Sequence, residues 1–439
     1  MATYIYSHLL LFPSPSLSLS SLLEIAFVAL LAFYVAWNLG ANDVANSMGT
    51  SVGSKALTLR QAIVIAGILE FTGAVIFSQG VSSTLGTGIA NPSLFAQNPQ
   101  LLLVGMVAVL ISCGTWLQIA TSQGLPVASS HAVVGAIAGF SWVAAGREAV
   151  EWVHIGNISV AWLITPLISG SIAALFYSLL KHWILDRPDA FVRLKEWIPW
   201  LSSILLGLFG VIVLPTLFNR SFFSFIPIPI QDLSLALGGI AAVSLTVDGW
   251  RQLERLQKKE NDKSSQNLNS VGVEKLLARF QIVSACFVAF GHGSNDVGNA
   301  IAPLATIVYI FSTNLVPLNG LSIPLWILVL GGLGIVAGLT FQGKNVIDTV
   351  GEKIIPLQPS SGFSAEIATA TTILLASRFG LPVSTSHALV GSVIGIGIVQ
   401  NWQQVNFSTI KSVILAWVIT LPITAILGAI SFTILRLFI

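Results

Sequence analysis

The chain has 439 residues, 54% of them hydrophobic and only 9% charged, with a mean hydropathy of +0.85 and a formal net charge of +2. So few charges cannot cover a water-exposed globule, which excludes the soluble classes and places the chain in a lipid bilayer. The near-balanced charge gives no footprint for a nucleic-acid partner, and Cys113 and Cys286, both inside apolar runs, make no disulfide framework.

Residues 1–20 are rich in Ser and Leu but carry no Lys or Arg, so they read as a loose tail rather than a secretory signal or a transit peptide. Apolar runs of spanning length follow near 22–41, 61–80, 101–121, 157–180, 201–218, 323–341 and 409–435. Shorter runs, interrupted by Gly and Ser, lie near 130–145, 231–247, 280–311, 363–379 and 387–400, which makes twelve predicted spans. The short runs border the polar motifs, as expected of helices broken where they line a cavity.

Basic residues set the orientation. Lys181, Arg187, Arg193 and Lys195 form one cationic segment, and Arg251, Arg255, Lys258, Lys259, Lys263, Lys275 and Arg279 form another, so both belong on the cytoplasmic side. The polar centre of the second, Glu260 to Ser270, has the composition of a disordered linker. Two spans fit between the segments, with the Pro-rich turn Pro215 to Pro229 outside, and the parts before and after them then run in opposite directions. The reading is an all-α polytopic membrane protein of two inverted repeats. Residues 21–180 form the first repeat, 181–250 two linking spans, 251–279 a basic cytoplasmic loop and 280–439 the second, inverted repeat.

Two motifs occur twice. Asn42-Asp43-Val44-Ala45-Asn46 recurs as Asn295-Asp296-Val297-Gly298-Asn299, and Gly124-Leu125-Pro126-Val127-Ala128-Ser129-Ser130-His131 recurs as Gly380-Leu381-Pro382-Val383-Ser384-Thr385-Ser386-His387. A carboxylate in apolar sequence costs roughly 2.5–3.5 kcal/mol unless partnered, so duplicated breaks of this kind point to transport. In each Leu-Pro-Val segment, a proline that cannot continue a helix precedes hydroxyl residues and a new helical run. Ser129, Ser130, Ser384, Thr385 and Ser386 would then offer hydroxyls beside the backbone N–H groups of a helix start, a setting suited to an oxyanion. Simple N-capping is the plainer reading of one such segment; its duplication in opposed halves favours a ligand.

Asp43 and Asp296, flanked by Asn42, Asn46, Asn295 and Asn299, supply the hard oxygens that a cation such as sodium needs. Neither motif contains Lys or Arg, so co-transported cations are the expected counter-charge for an anion; Arg378, the nearest basic residue, reads as a membrane-edge group. Glu70 and Glu366 are candidate proton carriers or cation ligands. His292, which has no histidine counterpart beside the first Asn-Asp run, is a candidate for pH sensitivity or for asymmetry between the halves. His131 and His387 read as satisfied core or capping histidines. Asp348 and Glu352, with Lys344 and Lys353, read as loop pairing, and Gly331, Gly332, Gly334 and Gly338 as allowances for close helix approach.

The runs at 40–46 and 291–300 and both Leu-Pro-Val segments resemble the paired signatures of the inorganic phosphate transporter (PiT) family, over about 21–180 and 280–435. Glu70 and Glu366 also fall where similar transporters carry membrane glutamates. The resemblance implies cation-coupled phosphate uptake through two inverted halves in a homodimer, with sodium or protons as coupling ion and no cofactor. Members of the family differ in coupling ion and anion, so sulfate or metal-phosphate symport is the alternative within it. A channel needs no paired cation ligands. An intramembrane hydrolase has no reason to carry its constellation twice, and no nucleophile elbow or metal-binding helix is present. The expected location is a bacterial plasma membrane, with a plastid envelope as the alternative.

Overall fold

Backbone inside hydrocarbon must satisfy its own N–H and C=O groups, and this chain does so with helices. The computed structural model describes residues 19–218, 229–261, 268–343 and 355–438, and among them no strand forms, only an isolated bridge between Ala90 and Val150. In chain order the first helices are α1 (Leu19–Gly53), α2 (Leu59–Phe77), the short α3 (Gln79–Thr87), α4 (Pro99–Ser122), α5 (Ser129–Ala145) and α6 (Trp152–Leu180). A π turn, Lys181–Leu185, extends α6, and α7 (Ala190–Ile212), a short α8 (Leu214–Phe218) and α9 (Ile230–Asn261) follow. The remainder is α10 (Leu268–Asp296), α11 (Gly298–Thr313), α12 (Leu325–Gln342), α13 (Pro359–Arg378), α14 (Thr385–Asn401) and α15 (Phe407–Leu435).

Among the described residues, 8 helices are long and apolar enough to cross a membrane: α1, α2, α4, α6, α7, α9, α12 and α15. The other expected spans fall on α5, α11 and α14, which at 17, 16 and 17 residues are shorter, and on the longer α10 and α13, which carry His292, Asp296 and Glu366.

Helices pack in reciprocal pairs. Four of the most extensive seams form two such pairs, α5 with α15 and α14 with α6, and α1 with α12 and α10 with α2, while an equally extensive seam joins α10 to α13. Each of the four paired seams brings backbone against backbone through glycine. A Cβ on Gly338 would lie 1.8 Å from the Trp37 carbonyl oxygen, on Gly293 2.0 Å from that of Glu70, on Gly139 2.0 Å from that of Ala425, and on Gly395 2.1 Å from that of Gly170. Gly331, Gly332 and Gly334 likewise abut Ile301, Phe71 and Ala36, so all four glycines of α12 serve close approach.

Two expectations are corrected. The first Asn-Asp run does not break its helix: α1 continues through it to Gly53, well past the expected end near 41. Asparagine weakens a helix when its side chain competes for local backbone, whereas Asn42 is held by Thr121 and Leu125 of another element, 3.0 and 3.1 Å away. The second run does sit at a break, between α10 and α11 at Val297. The basic segment 251–279 is helical at 251–261 and 268–279 rather than a tether, as its Leu, Lys, Glu, Gln and Arg content favours. Residues 262–267 of its polar centre, most of the Pro-rich turn, the Lys344 to Lys353 pairing and residues 1–18 lie outside the described residues.

Candidate functional site

The site is assembled where α1 and α10 meet the starts of α5 and α14. At each Gly-Leu-Pro segment a glycine in the left-handed region, Gly124 (φ 63°) or Gly380 (φ 66°), ends the preceding helix. The next N–H turns back: Leu125 donates to Ala120 at 3.0 Å and Leu381 to Ala376 at 2.9 Å. The proline then forbids continuation, and the new helices begin at Ser129 and Thr385. Ser384 caps α14 by accepting from the His387 N–H at 3.3 Å, whereas α5 starts after Ala128 with no side-chain cap.

Asn42 and Asn295 pin these breaks to the Asp-bearing helices. Asn42 Nδ2 donates to Thr121 Oγ1 (3.0 Å) and to the Leu125 carbonyl (3.1 Å), and its amide oxygen accepts from Val127 N–H (3.3 Å). Asn295 Nδ2 donates to Ser377 Oγ (3.1 Å) and to the Leu381 carbonyl (3.3 Å). Both amides therefore position the breaks and face away from open ligand duty. Asn42→Ala is expected to lower the thermal midpoint in detergent by several degrees through loss of about 1–3 kcal/mol of buried hydrogen bonding. A midpoint unchanged from the parent would show that the staple carries no stability.

Between the two helix starts lies a buried ionic cluster. Asp43, Asp296, His292 and Glu70 are all at most 1% exposed. His292 bridges two carboxylates, with Nδ1 3.0 Å from Glu70 Oε2 and Nε2 3.0 Å from Asp296 Oδ2, although neither contact is aligned as a hydrogen bond. Ser47 Oγ donates to Glu70 Oε1 at 2.7 Å, Thr385 Oγ1 to Asp296 Oδ2 at 2.8 Å, and Asn46 Nδ2 to Asp43 Oδ1 at 3.1 Å. Asn299 Nδ2 reaches across to Ser129 Oγ at 3.2 Å, tying the second Asn-Asp run to the first hydroxyl-bearing start. Ligand atoms of Asp43, His292 and Asp296 all lie within 4.8 Å of one another, a spacing compatible with one shared cation.

Four oxygens in this cluster are buried without a hydrogen-bond partner in the protein: Glu70 Oε2, which faces His292 Nδ1, and Asp43 Oδ2, Asp296 Oδ1 and Asn299 Oδ1. The last three are acceptors with no proton to give when ionised or an amide, a demand that a cation, a buried water or a donor brought by a ligand would meet. The structure thus gathers Asp43, Asn46, Asp296, Asn299, Ser129, Thr385, Glu70 and His292 in one place.

Glu366 stands apart from Glu70, although both are fully buried. Its Oε1 accepts from Thr50 Oγ1 (2.8 Å), Ser51 Oγ (2.6 Å) and Gln281 Nε2 (3.0 Å), and its Oε2 from Ser284 Oγ (2.6 Å). Gln281 in turn accepts from Ser54 Oγ at 2.7 Å. The partners Ser47, Thr50, Ser51 and Ser54 were not anticipated, yet with Asp43 and Asn46 they recur every three or four residues, a polar stripe down α1 that helical periodicity reveals. Gln281 and Ser284 carry no comparable signal.

The two motif histidines form a reciprocal pair. His131 Nδ1 lies 3.1 Å from the Trp417 carbonyl and His387 Nδ1 3.0 Å from that of Trp162, and their rings stack at 3.8 Å on Trp162 and 3.7 Å on Trp417. They are core histidines, but not fully satisfied ones, since Nε2 of each is buried without a hydrogen-bond partner in the protein. Ser130 is buried with an unpartnered hydroxyl, and Ser386 shares a 3.0 Å contact with Ser384. Arg378 is remote from the cluster and donates to the Val211 carbonyl at 2.8 Å.

A sequence model of the Phosphate transporter family matches residues 39–428. A Chlamydia trachomatis relative is 39% identical over 424 residues, covering 92% of this chain and 96% of its own. The chloroplastic inorganic phosphate transporter 2-1 of Arabidopsis thaliana is 36% identical, over 91% of this chain and 70% of its own. A solved structure of a sodium-dependent phosphate transporter superposes with a TM-score of 0.85 at 34% identity, over 94% of this chain and 99% of that one.

Proposed function

Because the chain belongs to the phosphate transporter family, whose members are transporters and not enzymes, we propose that it imports inorganic phosphate by symport with sodium. The observation that carries the reading is the set of unpartnered buried oxygens on Asp43, Asp296 and Asn299. Asp43, Asp296 and Glu70 outnumber the one imidazole of His292, so the cluster is anionic before any anion enters. Phosphate, itself carrying one to two negative charges, enters such a site only with cations that neutralise it. Asp43, Asp296, Asn46 and Asn299 serve as cation ligands, with Asn42 and Asn295 fixing the backbone around them. Ser129, Ser130, Ser384, Thr385 and Ser386 hold phosphate at the starts of α5 and α14, where the N–H groups of the first turn, free of a side-chain cap at α5, and the positive helix ends favour an oxyanion.

Proton coupling is the second reading, supported by the contiguous Glu70–His292–Asp296 contacts, with Glu366 as a further carrier. Sulfate or metal-phosphate as cargo is the alternative within the family.

The reciprocal seams, the matched Asn42 and Asn295 bonds and the crossed histidine contacts support two inverted repeats, 21–180 and 280–439, built from twelve spans with 181–250 linking them. Rocking of one half on the other would alternate access. A homodimer is what the family resemblance implies, and the bilayer is that of a bacterial plasma membrane, with a plastid envelope as the alternative that the Arabidopsis relative's name supports.

The test is radiolabelled phosphate uptake into proteoliposomes, with sodium and pH gradients imposed separately and sulfate as competitor. Uptake driven by inward sodium supports the reading; uptake driven only by inward acid moves coupling to Glu70, His292 and Glu366; sulfate accumulation without phosphate uptake overturns the substrate. Replacing Ser384, Thr385 and Ser386 together with Ala is expected to raise the KM for phosphate about tenfold or more, as loss of hydrogen bonds to a charged group predicts, with membrane expression unchanged. Kinetics identical to the parent would remove these hydroxyls from the site.

A further inference from the structure

The face that carries the basic segments holds an open cleft of about 730 Å³, none of whose lining residues belongs to either duplicated motif. Lys55, from the turn after α1, Lys181, from the π turn after α6, and Lys275, from α10, all line it, together with Tyr177, Glu274 and Asp186. Among the described residues, no carboxylate pairs with any of the three ammonium groups within 4.0 Å. Glu274 is already engaged: its carboxylate accepts from the Ser360 N–H at 2.8 Å and from Ser360 Oγ at 2.7 Å, at the start of α13. Asp186 is exposed at the rim.

Two of the lysines have a local reason to be where they are, since Lys55 and Lys181 follow helix C-termini, where a cation is favoured. Lys275 has none, since it lies beyond the first turn of α10 and out of reach of either helix end. Lys55, moreover, holds a left-handed backbone (φ 64°), a conformation that a side chain as large as lysine adopts at a cost. The three ammonium groups outnumber the two carboxylates, Glu274 and Asp186, that line the same cleft, so its balance of charge favours an anion. Close by in sequence, Trp183, 45% exposed just beyond Lys181, stacks with Trp197 and lies under Arg187, an aromatic and cationic grouping of the kind enriched at membrane interfaces.

We propose that this cleft is a second oxyanion site, in which Lys55, Lys181 and Lys275 together bind a phosphate group, either hydrated inorganic phosphate or the phosphate of an anionic lipid headgroup. The volume supports a hydrated or extended ligand: at roughly 30 Å³ per water the cleft has room for far more than one bare oxyanion. The three ammonium groups are independent point donors, which suits phosphate oxygens without demanding one fixed orientation. The proposal does not depend on the transport reading, and its test does not use uptake.

The full-length protein is placed in nanodiscs, and the rate at which each lysine is acylated is followed by mass spectrometry, with exposed Lys411 as internal control. One arm adds millimolar inorganic phosphate to phosphatidylcholine nanodiscs; the other replaces part of the lipid with phosphatidylglycerol and omits phosphate. Labelling of Lys55, Lys181 and Lys275 is expected to slow at least threefold in one arm, with Lys411 unchanged, and the arm that does so identifies the source of the phosphate. Lys275→Glu is expected to abolish protection of Lys55 and Lys181. Protection that survives this reversal would come from elsewhere, the central cluster included, and would overturn the proposal, as would labelling unchanged in both arms.

Discussion

Asp296→Asn is expected to reduce phosphate uptake by at least about a hundredfold, a change that corresponds to roughly 3 kcal/mol, while the protein still folds and reaches the membrane. The substitution keeps the size of the side chain and leaves an oxygen to accept from Thr385, so packing and the 2.8 Å contact survive. What disappears is one of three carboxylates in a cluster shielded from water. Breaking one partner of a buried ion pair costs about 3–5 kcal/mol where the other charge stays behind. Here His292 keeps Glu70, so the fold bears less of that loss and the cation site more. Uptake and its sodium dependence, measured in proteoliposomes at matched protein content, decide the matter. Activity near the parent value would remove Asp296 from the coupling machinery, and lost protein in the membrane fraction would assign it a structural role instead.

Gly338→Val is expected to prevent recovery of folded protein, a loss of more than about 3 kcal/mol, beyond the usual range for overpacking because the obstacle is backbone. Any Cβ at this position would stand 1.8 Å from the Trp37 carbonyl oxygen, on the seam between α12 and α1. Neither helix has room to yield, since Gly334 meets Ala36 on the same face and Gly40 meets the Ile335 carbonyl from the other side. In a membrane, where helix association rests on packing more than on exclusion of water, separated helices lose most of what joins them. Gly156→Ala and Gly207→Ala are the controls, because a Cβ at either meets nothing within 4 Å. Monodisperse yield and the thermal midpoint in detergent provide the readout; a Gly338→Val protein as stable as the controls would show that the seam can open.

Much of the architecture was legible before any coordinates. The class followed from 54% hydrophobic residues with 9% charged, and the motif breaks from the Gly-Leu-Pro segments, because proline and left-handed glycine act through the local backbone whatever surrounds them. The continuity of α1 through Asn42 and Asp43 was not legible. Local rules give asparagine to turns, and what overrode them was a partner some eighty residues away. The basic segment reads as a loop with a linker-like centre from its charge, whereas its helix formers extend α9 and α10 at 251–261 and 268–279.

The site divides in the same way. Asp43, Asp296 and the hydroxyls of Ser129 and Thr385 could be named from duplicated motifs, because burying such groups in apolar sequence is costly enough to mark them. Only the tertiary structure separated Asn42 and Asn295, which hold backbone, from Asn46 and Asn299, which face the carboxylate cluster and the opposite helix start. Only the tertiary structure, too, set His292 between Glu70 and Asp296 and gave Glu366 a cluster of its own. Composition and local backbone chemistry act over a few residues and are therefore written along the chain. The partner of a buried charge is chosen by which helices pack together, and that choice is made through the glycine seams and buried hydrogen bonds of the folded whole.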